Sequence, residues 1–461
     1  MLPIRNNGIL KRDMSLNTQP YKGARDFYPE DKRIQKYMFG VMREVCESFG
    51  YEEYDAPILE PTDLFLAKGN QEIIDEQTYT FLDRGNRSVT IRTEMTPTVS
   101  RMVAARRQEL AYPARWYSIP NIWRYERMQR GRLREFWQLN VDLFGVEGVE
   151  ADHELIVVAD RIMKAYGAKP DMYAVRINSR KLTTWLFRTY LGLSDTQEQL
   201  FVRLIDRMHK LEYESFLAQA DAILTPTQRD TGLLDNLTEL LKARTINDLP
   251  AEAQSQPFVL ELKQLSDLLD ASHVTNIQFD ISLMRGFDYY TDIVFEVFDT
   301  NPDNNRSMFG GGRYDGLVGL FGVDPVPTVG FGMGDVTLQN FLESHGLLPK
   351  LPAETDAYVA LLGENTYEKV QKVLDGWRAE GLKLAVDMSG RKAEKQIKTA
   401  VKKGINYVVF IGEAELADER YKLKDLTTGN EESHSPERLI SILLDKRHKH
   451  RQPADEVDLD A

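Results

Sequence analysis

Polar and apolar side chains alternate from Phe136 to Phe144, and this is the clearest period-two pattern in the chain. Gln138, Asn140 and Asp142 share the parity of the two phenylalanines, whereas the residues between them are apolar. A period of two residues is typical of a β-strand that turns one face to a core. Amides and a carboxylate between aromatic rings are an unusual surface for water alone, so we interpret the polar face as a wall that meets a substrate.

An arginine-rich segment precedes this strand, with six arginines among the residues from 115 to 134. Apolar and aromatic side chains from Ile122 to Tyr125 bracket Arg124 in a second predicted strand, so the turn at 129–132 becomes the tip of a hairpin. The alternative is an exposed edge hairpin whose charges are only solvated. That alternative suits the turn better than it suits the polar wall.

Helical spacing and chain breaks divide the rest of the sequence. A long helix is predicted from Pro29 to Gly50, where the glycine stops it. From 181 to 275 the pattern is charged and helical, which indicates an inserted helical region. A linker at 351–355 leads into alternating strands and helices, the signature of a separate domain with a largely parallel sheet. The charged segment from 446 is predicted to be a mobile tail.

A second predicted hairpin turns at 83–86 and delivers residues 92–96 on its second strand. On a strand, Glu94 and Thr96 share one face. An amphipathic helix is predicted to begin at Pro97, which is well suited to the first turn of a helix.

Two groups of polar residues are candidates for chemistry. A pocket with acceptors from Glu94, Gln138 and Asp142 would suit an ammonium group, because a cation taken out of water needs anionic or amide acceptors around it. Arg124 and Arg132 would suit phosphate, since guanidinium binds phosphate oxygens bidentately. Together they predict a small amine and a nucleotide bound side by side.

Two further stretches allow more than one interpretation. Arg285 lies beside a glycine and two tyrosines and would suit developing negative charge, or else a surface pair with Asp288. Glycines at 310–312 and 330–334 allow close approach of backbone to a ligand, but tight packing explains them equally well. No CxxC or HExxH spacing supports a zinc site held by the protein. A nucleotide would still bring Mg²⁺, held mainly by its phosphates.

Length, charge and cysteine content narrow the class of protein. The 461 residues are enough for two to four domains, and a net charge of −13 confines any contact with nucleic acid to local patches. The single cysteine, Cys46, cannot form an internal disulfide. No apolar run approaches the ~20 residues of a membrane span. We therefore expect a cytoplasmic protein without membrane contact, with a polar tail at 1–19 in which Met14 is an alternative start.

Five motifs stand out along the chain: KGARDFYPED, RTEMTPT, RYERMQRGRLREFWQLNVDLFG, MRGFDYYTDIVFEVF and GGGRYDGL. Together they resemble the class II aminoacyl-tRNA synthetases, and within that class the histidine-specific family, over residues 20–445. The resemblance implies an α+β catalytic domain at 20–350 with a mixed, mainly antiparallel sheet of the class II synthetase type. It also implies a helical insertion at 181–275, a C-terminal α/β anticodon-binding domain at 355–445, and a charged tail at 446–461.

The resemblance implies an ATP-dependent aminoacyl-tRNA ligase. Such an enzyme joins L-histidine to ATP as histidyl-adenylate, then transfers histidine to the terminal adenosine of tRNA(His), with Mg²⁺ and as a homodimer. The helix from Asp31 to Phe49 and the strand at Pro57 resemble the family's dimer-forming motif 1. The arginine turn at 127–134 is expected near the acceptor end of tRNA and the basic segment at 392–403 near the anticodon stem, with solvated charge as the alternative for both.

The same resemblance implies roles for individual residues. Arg285 and Arg124 would be catalytic, acting on the transition state and on the ATP α-phosphate. The implied histidine-binding residues are Glu94, Thr96, Arg124, Gln138, Asp142, Arg285, Tyr289, Tyr290 and Tyr314. The implied ATP-binding residues are Arg124, Glu126, Arg132, Phe136 and Arg313, with Phe136 stacked on adenine.

The family's pattern is broken at the motif 3 helix. Thr337 stands where an arginine usually contacts the ATP γ-phosphate, and Asp335 is also unusual there. Either another cation such as Arg313 meets the γ-phosphate, or ATP binds more weakly, or activation has been lost. Asp142 replaces a glutamate and keeps its charge.

These departures leave two alternatives to an active histidine enzyme. One is a non-catalytic, synthetase-like regulatory protein that senses histidine. Such proteins typically lack the anticodon-binding domain that 355–445 resembles. The other is a class II enzyme for another amino acid, which the RGFDYY motif and the wall of Gln138 and Asp142 disfavour.

Overall fold

The computed structural model describes residues 16–66, 77–284, 289–304, 306–363 and 366–451. The chain divides into two compact units between Leu348 and Pro349. Each unit has its own hydrophobic core and is described by itself. Among the described residues, no helix combines the length and the apolar character that crossing a membrane requires.

The first unit is built around a large sheet. Its described strands are β1 (Glu52–Glu53), β2 (Leu59–Pro61), β3 (Tyr79–Leu82), β4 (Ser88–Ile91), β5 (Ala114–Ser118), β6 (Asn121–Trp123), β7 (Glu135–Phe144), β8 (Tyr173–Ser179), β9 (Ile277–Phe279), β10 (Ile293–Asp299), β11 (Ser307–Arg313) and β12 (Thr328–Gly334). Nine of them form one sheet in the order β1-β5-β7-β12-β11-β10-β8-β9, with β6 paired to β7. The outermost pairs β1–β5 and β8–β9 are parallel and the other pairs are antiparallel. The predicted mixed, mainly antiparallel sheet is therefore confirmed.

Helices cover the large sheet and form the insertion. The described helices of the first unit are Pro29–Ser48, Thr62–Leu66, Thr96–Arg106, Glu150–Ala165, Arg180–Trp185, Asp195–Asp206, Tyr213–Ile223, Pro226–Asp230, Leu233–Leu240, Ala251–Gln254, Pro257–Ala271 and Asp335–Ser344. Short π and 3-10 turns lie at Leu186–Tyr190, Met208–Lys210, Ile246–Asp248, Pro302–Asn304 and Val318–Phe321. The part from Arg180 to Ala271 contains no strand among its described residues, as its charged helical pattern predicts.

The strand predicted from the alternation is present as β7. Its apolar residues Leu139, Val141 and Leu143 are buried in the main core. The arginine hairpin is also confirmed, because β6 pairs with the start of β7 and Gln129 forms an isolated bridge with Arg132. The pattern of one strand thus fixes which of its faces turns to the core and which is free to build a site.

The predicted strand at 92–96 is wrong. β4 ends at Ile91, and Thr96 is the first residue of a helix, so Glu94 and Thr96 do not share a strand face. Pro97 is the cause, because proline has no backbone N–H for a strand ladder and its fixed φ suits the first turn of a helix. Glu94 lies in the short connection between the two elements.

A small sheet in the order β2-β4-β3 lies apart from the large one. Leu59 lies opposite Ile91 and Phe81 lies opposite Val89 in the register. Because side chains opposite each other share a face, these apolar residues lie on one side of the small sheet. Leu59 is 42% exposed and Phe81 is 47% exposed, so this side is an open apolar surface in the single chain.

The second unit contains a five-stranded sheet. Its strands are β13 (Ala357–Leu361), β14 (Leu384–Val386), β15 (Tyr407–Ile411), β16 (Tyr421–Asp425) and β17 (Glu431–His434), in the order β14-β13-β15-β16-β17. Its described helices are Thr366–Ala379, Ala393–Lys402, Glu413–Asp418 and Pro436–Arg451. The predicted parallel arrangement is confirmed for β14, β13 and β15, while β16 and β17 are antiparallel additions that the sequence pattern missed.

The segment from Lys446, expected to be a mobile tail, continues the last helix to Arg451. The Arg447 guanidinium explains this, because its Nε donates to Asp356 Oδ1 at 2.6 Å and one terminal nitrogen donates to the Gly381 carbonyl at 2.8 Å. These contacts hold a charged turn of helix against its own domain. Residues 452–461 lie outside the described part.

Candidate active site

A small cavity lies on the polar face of β7. Its volume is about 60 Å³, several times the ~10–15 Å³ that one water molecule needs. The residues that line it are Glu94, Thr96, Gln138, Asn140, Asp142, Tyr289, Tyr290, Gly310, Tyr314, Gly330, Phe331 and Gly332. The structure therefore gathers the predicted carboxylates, amide, hydroxyl and tyrosines around one space.

Glycines of β11 and β12 form the floor of this cavity. No side chain larger than hydrogen fits at Gly330 and Gly332, because side chains of β7 already occupy that space. Gly330 lies opposite Asp142 in the register, and a Cβ at that glycine would lie 2.2 Å from Asp142 Oδ1. A Cβ on Gly332 would lie 2.8 Å from Gln138 Nε2. Both distances are shorter than real Cβ contacts. Of the two roles considered for the glycines, close packing is the one these contacts support, and it serves the site side chains of the neighbouring strand.

Asp142 is a buried carboxylate of the cavity, and one of its two oxygens lacks a hydrogen-bond partner among the described residues. It is 3% exposed, and the Tyr314 hydroxyl donates a hydrogen bond to its Oδ1. Its Oδ2 is buried and has no hydrogen-bond partner among the described residues. Burial raises the pKa of Asp142 to about 7, and the Tyr314 hydrogen bond opposes that rise. A buried acceptor left open in this way is favourable for a cationic ligand.

Glu94 provides a second buried carboxylate, only 4% exposed. The Tyr289 hydroxyl donates to Glu94 Oε2 at 2.9 Å. Burial raises the pKa of Glu94 to about 7, while the nearby Arg124 charge and the Tyr289 hydrogen bond lower it. Two carboxyls with pKa values raised to near neutrality in one cavity are typical of a functional site.

Three tyrosine rings close the cavity on the side of the two carboxylates. The Tyr289 ring lies 5.1 Å from Tyr290 and 5.7 Å from Tyr314 between centroids, and both pairs are edge-to-face. The three tyrosines, at positions 289, 290 and 314, are distant in sequence from both carboxylates. The rings make a rigid aromatic wall of the kind that fits a flat, partly apolar ligand group.

A row of charged side chains runs from this region along the hairpin. The Arg124 Nε donates to the Thr93 carbonyl at 2.8 Å, and its guanidinium carbon lies 5.5 Å from the Phe136 ring centroid. Glu126 lies between two arginines, with one oxygen 3.9 Å from an Arg124 nitrogen and the other 3.4 Å from an Arg132 nitrogen. This arginine row, Arg124 and Arg132 joined by Glu126, suits a chain of phosphates that starts beside Glu94.

Arg313 does not join the arginine row. Two of its guanidinium nitrogens bond to Asp152 Oδ2, and its terminal nitrogens donate to the Val146 carbonyl at 3.0 Å and the Gly148 carbonyl at 2.9 Å. Arg313 is 5% exposed and Asp152 is 1% exposed, so this is a buried ion pair. Its position gives no support to the prediction that Arg313 meets the ATP γ-phosphate.

The two unusual residues of the motif 3 helix have structural partners. The Thr337 hydroxyl donates to the Met308 carbonyl at 2.8 Å. Asp335 Oδ2 accepts from an Arg25 terminal nitrogen at 2.7 Å, and its Oδ1 accepts from the Trp137 backbone N–H at 2.9 Å. Asp335 therefore ties the N-terminal segment and the start of β7 to this helix.

Arg285, the predicted transition-state cation, lies outside the described residues, as do its neighbours to 288. Two further residues line the cavity, Asn140 and Phe331. Sequence reasoning placed Asn140 in the polar wall without giving it a role, and it missed Phe331. The parity of β7 was a signal for Asn140, which lies between Gln138 and Asp142 on the polar face. Nothing in the local sequence distinguishes Phe331 from other apolar strand residues.

An antiparallel sheet, an acidic cavity on one of its faces and an arginine hairpin beside that cavity are what the resemblance to class II aminoacyl-tRNA synthetases predicts. Two family models match the chain: "Histidyl-tRNA synthetase" at residues 23–336 and "Anticodon binding domain" at residues 356–446. The histidine–tRNA ligase of Leptospira biflexa is 40% identical over 424 residues, which cover 91% of this chain and 96% of the relative.

Solved structures agree with the family models. The histidyl-tRNA synthetase of Nostoc sp. PCC 7120 has a TM-score of 0.80 at 24% identity and covers 94% of this chain and 100% of its own. The apo histidyl-tRNA synthetase of S. aureus has a TM-score of 0.68 at 26% identity and covers 93% and 100%. The chain belongs to the histidyl-tRNA synthetase family.

Proposed function

We propose that this chain is an ATP-dependent histidine–tRNA ligase. The observation that carries the proposal is the cavity in which two buried carboxylates, one with an open oxygen, lie beside a row of phosphate-binding arginines. An amino acid ammonium and a nucleotide fit those two halves. Membership of the family supplies the identity of the amino acid as histidine and of the polymer as tRNA(His).

The two carboxylates hold the histidine ammonium group, with Gln138 and Thr96 as neighbouring polar groups. Tyr290 and Tyr314 close around the imidazole ring, with Tyr289 supporting them. Asp142 Oδ2 is open to accept from the ammonium, while its Oδ1 stays bonded to Tyr314. The histidine carboxylate then points toward the arginine row, because the ammonium group and the imidazole ring of the same molecule are both held in place.

The first chemical step forms a bond between a histidine carboxylate oxygen and the α-phosphorus of ATP, and the bond to pyrophosphate breaks. Arg124 contacts the α-phosphate and stabilises the charge that develops on it, and we assign the same task to Arg285 from the sequence. Phe136 stacks on adenine, and Glu126 and Arg132 orient the phosphates. In the second step a hydroxyl of the terminal adenosine of tRNA attacks the carbonyl carbon, and AMP leaves.

Mg²⁺ is part of the proposal as a companion of ATP. The described part of the chain contains no group of three or more His, Cys, Asp and Glu side chains placed to hold a metal. ATP phosphates supply most ligands of Mg²⁺ in such sites, with one or two carboxylates. Glu126, which lies between two phosphate-binding arginines, would supply the protein ligand. The metal would neutralise charge on the departing pyrophosphate.

The reaction assay that tests the function is histidine-dependent exchange of pyrophosphate into ATP, followed by charging of tRNA(His). We expect both activities with the full chain. Exchange that responds to another amino acid instead would refute the specificity. No exchange with histidine would favour the regulatory alternative, although that class typically lacks an anticodon-binding domain and this chain matches one at residues 356–446.

The proposal places the catalytic domain at 20–350, with its insertion at 181–275, and the anticodon-binding domain at 355–445. A cytoplasmic location is part of the proposal. The single cysteine, Cys46, is buried and unpaired in the structure, which agrees with a reducing compartment. Burial raises the pKa of the Cys46 thiol to about 12, so it is unreactive at neutral pH.

We further propose that the protein is a homodimer and that the open apolar side of the small sheet lies in the interface. The side is defined by Leu59, Tyr79, Phe81, Val89 and Ile91. A second copy of the same patch complements it, as in twofold-symmetric dimers. The resemblance assigns dimer formation to the predicted strand at Pro57, and that proline lies just before β2 of this sheet.

Phe81→Asp is expected to convert the dimer to a monomer at micromolar concentration, because it places a charge in a desolvated apolar interface. Sedimentation velocity measures the change. Leu200→Asp, which alters a 43% exposed leucine of the helical insertion, is the control and should remain dimeric. A monomeric wild type, or a Phe81→Asp variant that stays dimeric, would contradict this interface.

One face of the Ala393–Lys402 helix is the proposed contact for the anticodon stem. Cations of this helix and of the residues beside it recur at helical spacing and line a shallow groove with Thr399. They are Arg391, Lys395, Lys398, Lys402 and Lys403. The chain as a whole has a net charge of −13, so contact with RNA phosphates requires a local basic face such as this one. The side chains of Lys395, Lys398 and Lys402 are all exposed, and Lys398 pairs with Glu394 at 2.7 Å.

The double variant Lys395→Ala, Lys402→Ala is expected to bind tRNA(His) about tenfold more weakly. Its dependence on salt should also be shallower, by about 0.7–0.9 in the log–log slope for each lost phosphate contact. Filter binding across a salt series measures both. Pyrophosphate exchange should be unchanged, and Lys372→Ala on another helix of the same domain serves as control. If the double variant and the wild type show the same slope of log affinity against log salt concentration, the face does not contact tRNA and its charges are only solvated.

A further inference from the structure

A side chain from a distant segment of the chain contacts the arginine turn. Arg306 lies in the connection before β11, and one of its terminal nitrogens donates to Gln129 Oε1 at 3.1 Å. Gln129 belongs to the turn whose backbone is closed by bonds between Gln129 and Arg132 at 2.9 and 3.2 Å. Arg306 therefore reaches, from a distant part of the chain, the tight turn to which Arg132 belongs.

The turn also packs on the position where the family's arginine is replaced by threonine. A Cβ at Gly131 would lie 3.5 Å from Thr337 Cγ2, which places the turn directly over that side chain. The Thr337 hydroxyl bonds to the Met308 carbonyl, two residues beyond Arg306. Two independent contacts thus bring Arg306 into the neighbourhood that an arginine at 337 would occupy.

The charges of this neighbourhood are suited to a terminal phosphate. The arginine row leads from Arg124 beside the cavity, through Glu126, to Arg132 at the turn, and Arg306 extends it by one more cation. Arg306 and Arg132 are both exposed. The contact of Arg306 with Gln129 uses one of five guanidinium N–H donors, so the others remain available for phosphate oxygens.

We propose that Arg306 is an ATP-binding residue that holds the γ-phosphate, and that it takes over the task of the arginine missing at Thr337. This inference rests on the proposed function, because it needs ATP in the arginine row with its α-phosphate at Arg124. It explains how the chain keeps ATP activation without the arginine of motif 3. It also assigns to the exposed Arg306 a role that the buried Arg313 is not placed to fill.

The test compares the affinities of wild type and variants for ATP, ADP and AMP, measured by calorimetry with Mg²⁺ and the full chain. For Arg306→Ala we expect about tenfold weaker ATP binding, because one charge-assisted phosphate contact is lost. ADP and AMP have no γ-phosphate, so the affinities for these two nucleotides should be unchanged. Adding Thr337→Arg to Arg306→Ala should restore ATP affinity, and Arg84→Ala, an exposed arginine of the β3–β4 turn, should have no effect.

The outcomes separate this inference from the proposed function. Wild-type exchange activity with unchanged ATP affinity in Arg306→Ala would overturn the inference and leave the function in place. Equal loss of ATP and AMP affinity would do the same, because it would indicate a general distortion of the site. If Arg306→Ala weakens tRNA(His) binding but not ATP binding, the residue serves RNA instead. A wild type without histidine-dependent exchange would refute the function and this inference with it.

Discussion

Asp142→Asn is expected to weaken histidine binding by about 2–4 kcal/mol, roughly thirtyfold or more, with little change in ATP affinity. The substitution keeps the size of the side chain but removes the charge that faces the ammonium group. A buried cation that loses its charged partner incurs a penalty of this size. The Tyr314 hydroxyl still finds an acceptor in the asparagine carbonyl, so the wall should remain in place.

The pH dependence of this effect has a definite sign. Burial raises the pKa of Asp142 to about 7, so in the wild type the carboxyl is mostly ionised at pH 8 and mostly protonated at pH 6. Only the ionised form attracts the ammonium. The ratio of wild-type to variant affinity should therefore shrink about tenfold between pH 8 and pH 6. The imidazole of histidine titrates identically in both experiments and cancels from the ratio.

Calorimetric titration with histidine at both pH values measures this effect. Gln339→Asn, a polar change at a half-buried position of the Asp335–Ser344 helix outside the cavity, is the control for nonspecific loss. If Asp142→Asn binds histidine as tightly as the wild type does, the assignment of the ammonium site fails. If the affinity falls but the ratio is independent of pH, the carboxyl acts through the shape of the cavity and not through its charge.

Raised carboxyl pKa values also make the free protein less stable as pH rises. Glu94 and Asp142 hold protons in the folded state up to about pH 7, whereas the unfolded chain releases them near pH 4. Between those values the unfolded state binds fewer protons, so the free energy of unfolding decreases with pH. Histidine binding offsets this cost by supplying the missing positive charge. The two buried carboxyls therefore favour ligand binding, and they lower the free energy of unfolding of the ligand-free protein.

Asp152→Ala is expected to be the most destabilising of the variants considered, by about 3–5 kcal/mol. It would leave the Arg313 guanidinium buried without its carboxylate, and breaking a buried ion pair on one side costs this much. Burial raises the pKa of Asp152 to about 6, against the opposing effect of Arg313. The pair is therefore charged at pH 8, the condition chosen for the test.

Urea unfolding of the first unit at pH 8, followed by tryptophan fluorescence, measures this loss. Replacing both partners with apolar residues, as in Asp152→Leu with Arg313→Met, should recover much of the stability, because no charge is then left unpaired. Arg43→Ala breaks the half-exposed pair with Glu53 at 3.0 Å and should cost less than about 1 kcal/mol. A loss from Asp152→Ala as small as that control would show that Arg313 finds water or another partner.

The sequence by itself determined the elements whose pattern is local. The alternation in β7 is a property of one strand, and it correctly separated a core face with Leu139 and Val141 from a polar face with Gln138 and Asp142. Charged helical spacing correctly predicted the helices between Arg180 and Ala271, and the alternation of strands and helices predicted the parallel part of the second sheet. Such patterns are readable because burial of one face imposes its period on neighbouring residues.

Contacts between distant segments were decided only by the tertiary structure. Tyr289 meets Glu94 and Tyr314 meets Asp142 across more than 170 positions of sequence, and no local pattern encodes that pairing. The family resemblance suggested these residues as one set, but the open Oδ2 of Asp142 and the raised pKa values follow from burial.

Arg313 and Arg306, the two arginines considered for the γ-phosphate, show most clearly what local sequence determines and what only the tertiary structure decides. Arg313 and Arg306 are equally cationic in the sequence, and only Arg313 lies in one of the five motifs, GGGRYDGL. The register of β11 turns Arg313 to the buried Asp152, whereas Arg306 lies just before that strand and reaches Gln129 of the arginine turn. The sequence set the types of residue that this chemistry needs. Only packing decided which cation is committed to the core and which stays accessible to a ligand, because burial and pairing depend on the whole fold.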